Sequence, residues 1–442
     1  MHIQFFTEPA ACRYAGGFLA DNARRTSMMN QRSLAGPTLL ASALGACAPP
    51  VAAPAPPVVT AAPLPLPPAP ASATPPAPPP RVTALAAGTH ATCARLADGT
   101  ARCWGRVFYT SYGEALPDPR QAGSAEPVAV AGLDGVTALA LGTFYACALR
   151  GGGVVCWGVN GSAALGHGER GNRYAPTPVA GLSGVMAIAA APDHACALLG
   201  SGAAYCWGSN FYGALGTSVK GATAYAPVKV EGLAGAVAIA TGHTHTCAAL
   251  ADGSARCWGA NRHGQLGDGT KTDRAMPAAV RDLAGVVELA LGDATEVPVE
   301  ARLLSGHSCA RLRDESVWCW GENRFGQLGD GTRADRAAPV KVAGIEGARA
   351  VAAGTGFTCA LHGEGTVACW GSNMYGQLGD GTSTTRARPA KVNGITAATA
   401  IAARGLHACA LLQDGSVWCW GRAEMARSAA EMTQAIPRRV VF

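Results

Sequence analysis

The chain has 442 residues, of which 57 are glycine and 29 are proline, and only 14% are charged. The length would allow two or three average domains, but short apolar runs separated by glycine predict many strands and turns rather than a helical fold. The net charge of +6 comes from basic residues that are scattered singly or lie near the N-terminus, without a basic stripe. The composition therefore argues against a nucleic-acid-binding protein.

Residues 1–47 have the pattern of a targeting segment. A short basic region precedes an apolar stretch that is too short to span a bilayer, and the stretch ends in Leu44-Gly45-Ala46-Cys47. This ending resembles a bacterial lipobox, which implies that Cys47 is lipidated and becomes the mature N-terminus. An ordinary cleaved signal with an incidental cysteine is the alternative. The signal pattern also predicts that translation starts at Met28 or Met29.

Residues 48–80 form a proline- and alanine-rich segment. Fifteen of these 33 residues are proline, and none is charged. Such a composition cannot form a packed core and predicts a disordered, extended linker that holds a domain away from a membrane.

Residues 81–442 consist of a degenerate repeat. A Cys-Trp-Gly core recurs with tryptophan at positions 104, 157, 207, 258, 320, 370 and 420, so that most intervals are close to fifty residues. A fixed period of this length with short strands is typical of a propeller, with one blade per period. The sequence therefore predicts an all-β, seven-bladed β-propeller.

Each period contains four predicted strands. In chain order they are a P-x-x-V segment, an apolar V-x-A run, a strand with the first cysteine and a strand with Cys-Trp. The first repeat lacks a P-x-x-V segment, whereas the chain ends in one, residues 436–442. We therefore expect the C-terminal strand to complete the first blade and close the ring.

Fourteen of the 16 cysteines form seven regularly spaced pairs, and Cys12 and Cys47 are left over. Six pairs flank a three-residue loop such as Gln413-Asp414-Gly415, and one flanks Gly151-Gly152. Both loop lengths place the two cysteines opposite each other in a hairpin, within disulfide range. Buried free thiols and zinc ligation are the alternatives. The predicted disulfides are Cys93–Cys103, Cys147–Cys156, Cys196–Cys206, Cys247–Cys257, Cys309–Cys319, Cys359–Cys369 and Cys409–Cys419.

The strands and the loop WGxNxxGQLGDGT resemble the regulator of chromosome condensation (RCC1-type) repeat family. The best matches are Gly264–Thr270, Gly326–Thr332 and Gly376–Thr382, and the resemblance covers about residues 81–442. It implies a seven-bladed propeller. Nuclear members exchange nucleotide on a small GTPase and contact chromatin, but the specialised loop and basic tail for this are not matched here. Exported bacterial members, the secreted propeller-type inhibitors of β-lactamases, instead grip a partner protein with loops of one face.

No sequence motif indicates catalysis or cofactor binding. H-E-x-x-H, Walker and G-x-S-x-G patterns are absent from the sequence, and we expect no catalytic residue, cofactor or metal site. Four histidines, at positions 194, 245, 307 and 407, lie two residues before a cysteine, where Tyr145 and Phe357 stand in other repeats. This exchange with aromatic rings predicts packing or hydrogen bonding to a neighbouring blade rather than catalysis or metal binding.

Two features are candidates for partner binding. The first is the residue after the loop asparagine, which varies among Phe211, Arg262, Arg324 and Met374, all types that are favoured at interfaces. The ring-bearing residue that follows each of them is expected to be structural, and local packing is the alternative for the first position as well. The second is an insertion at residues 293–304, which we expect at the rim of the propeller. A tolerated surface insertion is the alternative. Its charged residues are Asp293, Glu296, Glu300 and Arg302.

These patterns together predict a monomeric, non-enzymatic binding module that is lipid-anchored at the bacterial cell envelope. It would recognise a protein or glycan through its loops, contact the membrane only through its anchor and bind no nucleic acid. One alternative is an envelope lyase or hydrolase that uses carboxylates in the propeller channel. The other is a structural or adhesion component.

Overall fold

The computed structural model describes residues 81–106, 123–219, 221–293, 306–422 and 433–442. In these ranges the chain forms seven antiparallel sheets of four strands each, and every sheet uses consecutive strands. The sheets form an all-β, seven-bladed β-propeller, as the repeat predicts. No helix within the described ranges is long and apolar enough to cross a membrane. The predicted leader and linker lie outside the described residues.

The blades are numbered 1–7 along the chain, and each contributes one strand to each of four sets. The first strands are β1 (Val82–Ala87), β5 (Val136–Leu141), β9 (Val185–Ala190), β13 (Ala236–Thr241), β17 (Val286–Leu291), β21 (Ala348–Ala353) and β25 (Ala398–Arg404). The second strands are β2 (Ala91–Leu96), β6 (Tyr145–Arg150), β10 (His194–Leu199), β14 (His245–Leu250), β18 (His307–Leu312), β22 (Phe357–His362) and β26 (His407–Leu412).

The third strands carry the Cys-Trp core, and the fourth strands are the P-x-x-V segments. The third strands are β3 (Ala101–Gly105), β7 (Gly153–Gly158), β11 (Ala204–Gly208), β15 (Ala255–Gly259), β19 (Val317–Gly321), β23 (Val367–Gly371) and β27 (Val417–Arg422). The fourth strands are β4 (Ser124–Ala129), β8 (Arg173–Pro178), β12 (Ala224–Lys229), β16 (Arg274–Ala279), β20 (Arg336–Lys341), β24 (Arg386–Lys391) and β28 (Thr433–Val440).

Antiparallel pairing divides the connections between two faces of the propeller. The first strand of each blade lines the central channel, and the loops after the first and third strands lie on one face. We call this the loop face; it carries the Asn-x-x-Gly motifs. The hairpins between the second and third strands, and the links from one blade to the next, lie on the other face, which we call the hairpin face.

The hairpins have the predicted geometry. Cys409 is directly opposite Cys419, and Gly415 has φ of 81° in the three-residue loop, a conformation that glycine adopts at low cost. In blade 2, Gly151 and Gly152 both have positive φ, as a two-residue primed turn requires. The structure contains all seven predicted disulfides, with Cα atoms 4.0–4.1 Å apart.

The hydrophobic core lies between the blades. Each of seven apolar clusters joins two neighbouring blades and contains the Cys-Trp tryptophan of one of them. In five of these clusters, a leucine from the loop of the preceding blade packs against that tryptophan, as Leu266 does against Trp320. No blade could bury its apolar surface alone, which is why the repeats fold as a ring.

The predicted closure of the ring is wrong. The P-x-x-V strand is the last strand of a blade, not the first, because it pairs with the Cys-Trp strand that precedes it. Blade 1 therefore takes its fourth strand from Ser124–Ala129, and the C-terminal strand β28 pairs with β27, with Cys419 opposite Arg438. The first and last blades are each continuous in sequence.

Side chains close the ring where blades 7 and 1 meet. Val82, Leu96 and Trp104 of blade 1 share a cluster with Leu411 and Val417 of blade 7. The C-terminal residue, Phe442, packs edge-on against Trp104, with ring centroids 5.7 Å apart. A cleft of ≈ 470 Å³ lies along this seam.

Candidate functional site

The Asn-x-x-Gly motif is a loop that its own asparagine holds together. The Asn261 side-chain oxygen accepts the Leu266 N–H at 2.9 Å, and its amide nitrogen donates to the carbonyls of Thr270 and Thr272 at 3.1 Å. Asn323 and Asn373 make the same bonds in blades 5 and 6. The buried asparagine therefore satisfies backbone groups that the turn leaves without partners.

The aspartate of the motif is also structural. Asp268 accepts hydrogen bonds from the backbone and hydroxyl of Thr270 and pairs with Arg274 at 3.0 Å. Burial alone would raise the pKa of Asp268, but the hydrogen bonds from Thr270, Arg274 and Asn261 outweigh burial and hold the pKa below its usual value. Because these donors occupy the carboxylate, it forms a turn rather than a calcium loop. The described residues contain no group of three or more His, Cys, Asp or Glu side chains placed to hold a metal ion.

Two kinds of polar contact lock each blade to the next. The Trp320 indole donates to the Gln265 carbonyl of the preceding blade at 2.9 Å, and the tryptophans of blades 3, 4, 6 and 7 do the same with the preceding loop. His245 Nε2 lies 2.8 Å from the Ser308 hydroxyl of the next blade, which itself donates to Gln265 O. These contacts confirm the predicted hydrogen-bonding role of the histidines.

The tautomer of these histidines follows from the proton count. A hydroxyl has a single proton, and Ser308 gives it to a carbonyl, so His245 Nε2 must be the donor to the Ser308 oxygen. This bond alone fits both the neutral ring protonated on Nε2 and the charged ring, and burial decides between them. Burial lowers the pKa of His194 and His245 to about 3 and that of His307 to about 4, so these rings stay uncharged at physiological pH.

These contacts leave a signal in the sequence that the sequence analysis missed, namely a correlation between residues of neighbouring blades. Wherever a histidine stands two residues before the first cysteine, the next blade has Thr or Ser one residue before its own cysteine. Wherever another residue stands there, the next blade has Ala. The histidine pairs are His194–Thr246, His245–Ser308, His307–Thr358 and His407–Thr92. The other pairs are Ala91–Ala146, Tyr145–Ala195 and Phe357–Ala408. The rule also holds from blade 7 to blade 1, because these two blades are neighbours in the closed ring.

The central channel is apolar and is crossed by one arginine. Alanine, leucine and isoleucine from all seven first strands line a channel of ≈ 260 Å³. Arg404 of blade 7 reaches across its loop-face end, where it pairs with Asp293 of blade 5 at 2.8 Å and donates to the carbonyl of Ala190 in blade 3 at 2.5 Å. No carboxylate belongs to the described channel lining, and Asp293 beside it is ion-paired.

Both residues of this ion pair differ from the residues at the equivalent positions of other repeats. Arg404 stands five residues before the first cysteine, where other blades have Gly242 or Gly354, and Asp293 is the first residue of the insertion. The insertion therefore leaves the fold at the mouth of the channel, not at the rim of the propeller as expected. Asp293 is buried and bonded to Arg404, so it is not available to a partner. The other three candidates in this segment, Glu296, Glu300 and Arg302, lie outside the described residues.

The structure places the four remaining candidates in one arc on the loop face. Phe211, Arg262, Arg324 and Met374 hold the same position in successive blades 3–6, and all four side chains are exposed. Phe211 is 70% exposed and Met374 67% exposed, and the Phe211 ring contacts the Tyr212 ring edge-on with centroids 5.0 Å apart. The ring-bearing residues that follow them are half-buried, as Tyr212 and Tyr375 show, which fits a structural role.

The fold and its interlocking loops define the chain as a repeat propeller whose blades are held together by WGxNxxGQLGDGT-type motifs. The profile of the Regulator of chromosome condensation (RCC1) repeat matches residues 151–198, 201–249, 252–295, 314–361 and 364–411. A second profile of the same repeat matches residues 187–214, 236–265, 348–377 and 399–424. Because these matches cover more than half of the sequence, the chain belongs to the RCC1 repeat family.

Curated relatives share part of the chain. The ultraviolet-B receptor UVR8 of Arabidopsis thaliana is 30% identical over 218 residues, which are 48% of this chain and 47% of that protein. The E3 ubiquitin-protein ligase HERC2 of Homo sapiens is 29% identical over 150 residues, 33% of this chain and 3% of that protein. The chain thus spans about half of UVR8 and a small part of HERC2.

Solved structures share the fold. Human WBSCR16 superposes with a TM-score of 0.64 at 21% identity, covering 76% of this chain and 89% of that one. Yeast RCC1 (Prp20), in a structure bound to Kap60, gives a TM-score of 0.64 at 21% identity and covers 82% of this chain and 85% of that one. At this identity the likeness establishes the propeller fold alone.

Proposed function

We propose that this chain is a non-enzymatic binding module at the surface of a bacterial envelope membrane, and that it recognises a protein partner through its loop face. The arc of Phe211, Arg262, Arg324 and Met374 carries this proposal. Its residues project to solvent from four consecutive blades, whereas the rest of each motif is occupied in holding the fold together.

The chemistry of the arc favours a protein over a glycan. Exposed Phe, Met and Arg are enriched at protein interfaces, and a guanidinium beside an aromatic ring is a common anchor. Arg324 lies over the Phe325 ring at 4.6 Å, which limits its rotamers before any partner binds. A glycan remains the alternative ligand.

The disulfides support export of the protein. All seven hairpin pairs form disulfides, and every cysteine in them except the partly buried Cys419 is fully buried, which fits a chain that folds in an oxidising compartment. A lipid on Cys47 and the linker 48–80 would then hold the propeller near the membrane. Both lie outside the described residues, and their roles stay proposals from the sequence.

Substitution within the arc tests the binding face. Phe211→Ser with Met374→Ser should leave stability nearly unchanged, since both side chains are mostly exposed. The double variant should capture roughly tenfold less partner from an envelope extract, because a loss of ~1.4 kcal/mol is tenfold in affinity. The bait is the domain 81–442, and Ile436→Thr on the outer strand β28, which replaces a side chain that is 58% exposed, serves as the matched control. Equal recovery with all three baits would remove the loop-face assignment.

Lipidation makes a separate prediction. The native protein should partition into detergent, carry acyl mass on Cys47 and become soluble as Cys47→Ser, since a single thiol accepts the lipid. Fractionation followed by mass spectrometry checks both points. A wild-type protein that is recovered in the aqueous phase without acyl mass would show an ordinary cleaved signal.

A further inference from the structure

The hairpin face has its own exposed strip, at one position of the first strand in each blade. This position is the second residue of the strand, where an extra residue bulges from the ladder, as it does between Val82 and Ala84. The side chains at this position surround the end of the channel opposite Arg404. They are Thr83, Thr137, Met186, Val237, Val287, Arg349 and Thr399.

Four of the seven blades give this side chain a local partner. The hydroxyls of Thr83, Thr137 and Thr399 donate to the backbone carbonyl of a residue on the second strand, at 3.1–3.2 Å. In blade 6, Arg349 pairs with Glu315 at 2.9 Å. These residues show what the position requires for the fold alone, namely a short polar side chain or a paired charge.

Blades 3, 4 and 5 depart from that requirement together. Met186 is 58% exposed, Val237 52% and Val287 36%, and they lie on three successive blades. Threonine has the shape of valine and is accommodated in three sister blades, so folding does not explain an apolar choice at three neighbouring sites. The first strands that carry them contact one another around the channel, and apolar side chains grouped on a protein surface mark an interaction surface.

The turns of the hairpin face carry more carboxylates than bases. Asp252 of blade 4 and Glu364 of blade 6 are exposed on turns that have no basic residue. Asp282 follows the exposed base Arg281, and Asp314 of blade 5 follows the exposed base Arg313. Hydrogen bonds from the side chain and backbone of Ser254 hold the pKa of Asp252 below its usual value, and those from Ser316 do the same for Asp314. These groups remain ionised at physiological pH.

We propose that the hairpin face is a second docking surface, which binds a cationic amphipathic segment of a partner protein. Met186, Val237 and Val287 would contact its apolar side chains, and the surrounding carboxylates would attract its basic ones. The surface lies opposite the loop face and does not depend on the loop-face proposal.

A direct binding measurement with a defined peptide tests this surface. The probe is a fluorescent amphipathic peptide of leucine and lysine, and binding to the domain 81–442 is followed by anisotropy at near-physiological salt. Met186→Thr/Val237→Thr/Val287→Thr keeps every charge and introduces the residue of the sister blades. We expect it to bind the peptide roughly tenfold more weakly. Asp252→Asn/Asp282→Asn/Asp314→Asn should weaken binding and flatten its salt dependence.

Controls separate this surface from general attraction and from misfolding. Phe211→Ser/Met374→Ser on the loop face should bind the peptide as the wild type does, and a leucine–glutamate peptide should not bind. If the triple threonine variant melts early, the single variant Met186→Thr replaces it in the comparison. The proposal is overturned if the wild type does not bind the leucine–lysine peptide, if the threonine variant binds it equally well, or if both peptides bind alike.

Discussion

At the scale of single residues, side chains on the two sides of each blade interface vary together in pairs. A buried imidazole needs a hydroxyl in the next blade, and that hydroxyl needs a loop carbonyl, as His307, Thr358 and Gln327 show. An aromatic ring such as Phe357 needs neither, and the next blade then has Ala408. Each pair satisfies the imidazole Nε2 and the hydroxyl, which lowers the cost of burying these groups, whereas Nδ1 of His245 and His307 is buried without a hydrogen-bond partner.

The neutral histidines make stability depend on pH. Their folded pKa values of about 3 to 4 lie below the unfolded value of about 6.5, so the unfolded chain binds more protons as the pH falls below 6.5. The free energy of unfolding should therefore decrease from about pH 6.5 down to about pH 4. Each histidine contributes a slope of ~1.4 kcal/mol per pH unit where only the unfolded form is charged.

One pair can be exchanged for the pair that blade 6 already uses. His245→Phe with Ser308→Ala copies Phe357 and Ala408, and it should reduce the slope by ~1.4 kcal/mol per pH unit. Denaturant unfolding at a series of pH values, with the disulfides intact, measures this slope. Met186→Thr, which removes no titrating group, serves as the control. An unchanged slope would mean that His245 is not the neutral buried base described above.

At the scale of elements, the sequence predicted the hairpins well but not the phase of the repeat. The Asp-Gly turns and the cysteine spacing fix two strands locally, because a short loop determines the register of a hairpin. The P-x-x-V strand is joined by longer connections on both sides, and a periodic sequence can be divided at any point of its period. Its assignment to the following blade, and the closure built on it, were wrong for that reason. The His407–Thr92 pair shows that blades 7 and 1 are neighbours, which both closure schemes require, so it does not distinguish them.

Trimming residues 437–442 distinguishes the two ways of closing the ring. In the structure, Arg438, Arg439 and Val440 pair with β27, so the truncation should speed amide exchange in residues 417–422 by about tenfold or more and leave β3 protected. It also removes Phe442 from Trp104, which should lower the melting temperature modestly. Hydrogen exchange with mass spectrometry gives both readouts. Faster exchange in β3 with β27 unchanged would instead support the sequence prediction that the C-terminal strand completes blade 1.

At the scale of the whole molecule, a rigid ring presents two faces of different character. Small residues along the channel, the tryptophan clusters and the disulfides leave the scaffold few ways to move. Phe211 and Met374 on the loop face, and Met186 and Val237 on the hairpin face, are exposed where the fold does not need them. The sequence pointed to Phe211 and Met374 because their position varies between repeats while the motif around it stays the same. It did not identify the second pair, because valine and methionine in a strand normally indicate core.

The position of the insertion could not be read from the sequence either. A long interval between tryptophans shows where residues are added but not where the added chain leaves the fold. The Asp293–Arg404 contact locates that point, and it joins residues 111 positions apart that each depart from the repeat. Such a contact depends on the ring being closed, which explains why local patterns do not contain it.

The most direct test of the account is to ask which face of the propeller touches its partner. A photoreactive amino acid is introduced in place of Phe211 or Met374 on the loop face, or in place of Gly161, the exposed residue at the same position of blade 2. We expect partner crosslinks to form at positions 211 and 374 and to be much weaker at 161, because blade 2 lies outside the arc. Equal crosslinking at all three positions, or none at any of them while the partner is still captured, would contradict it.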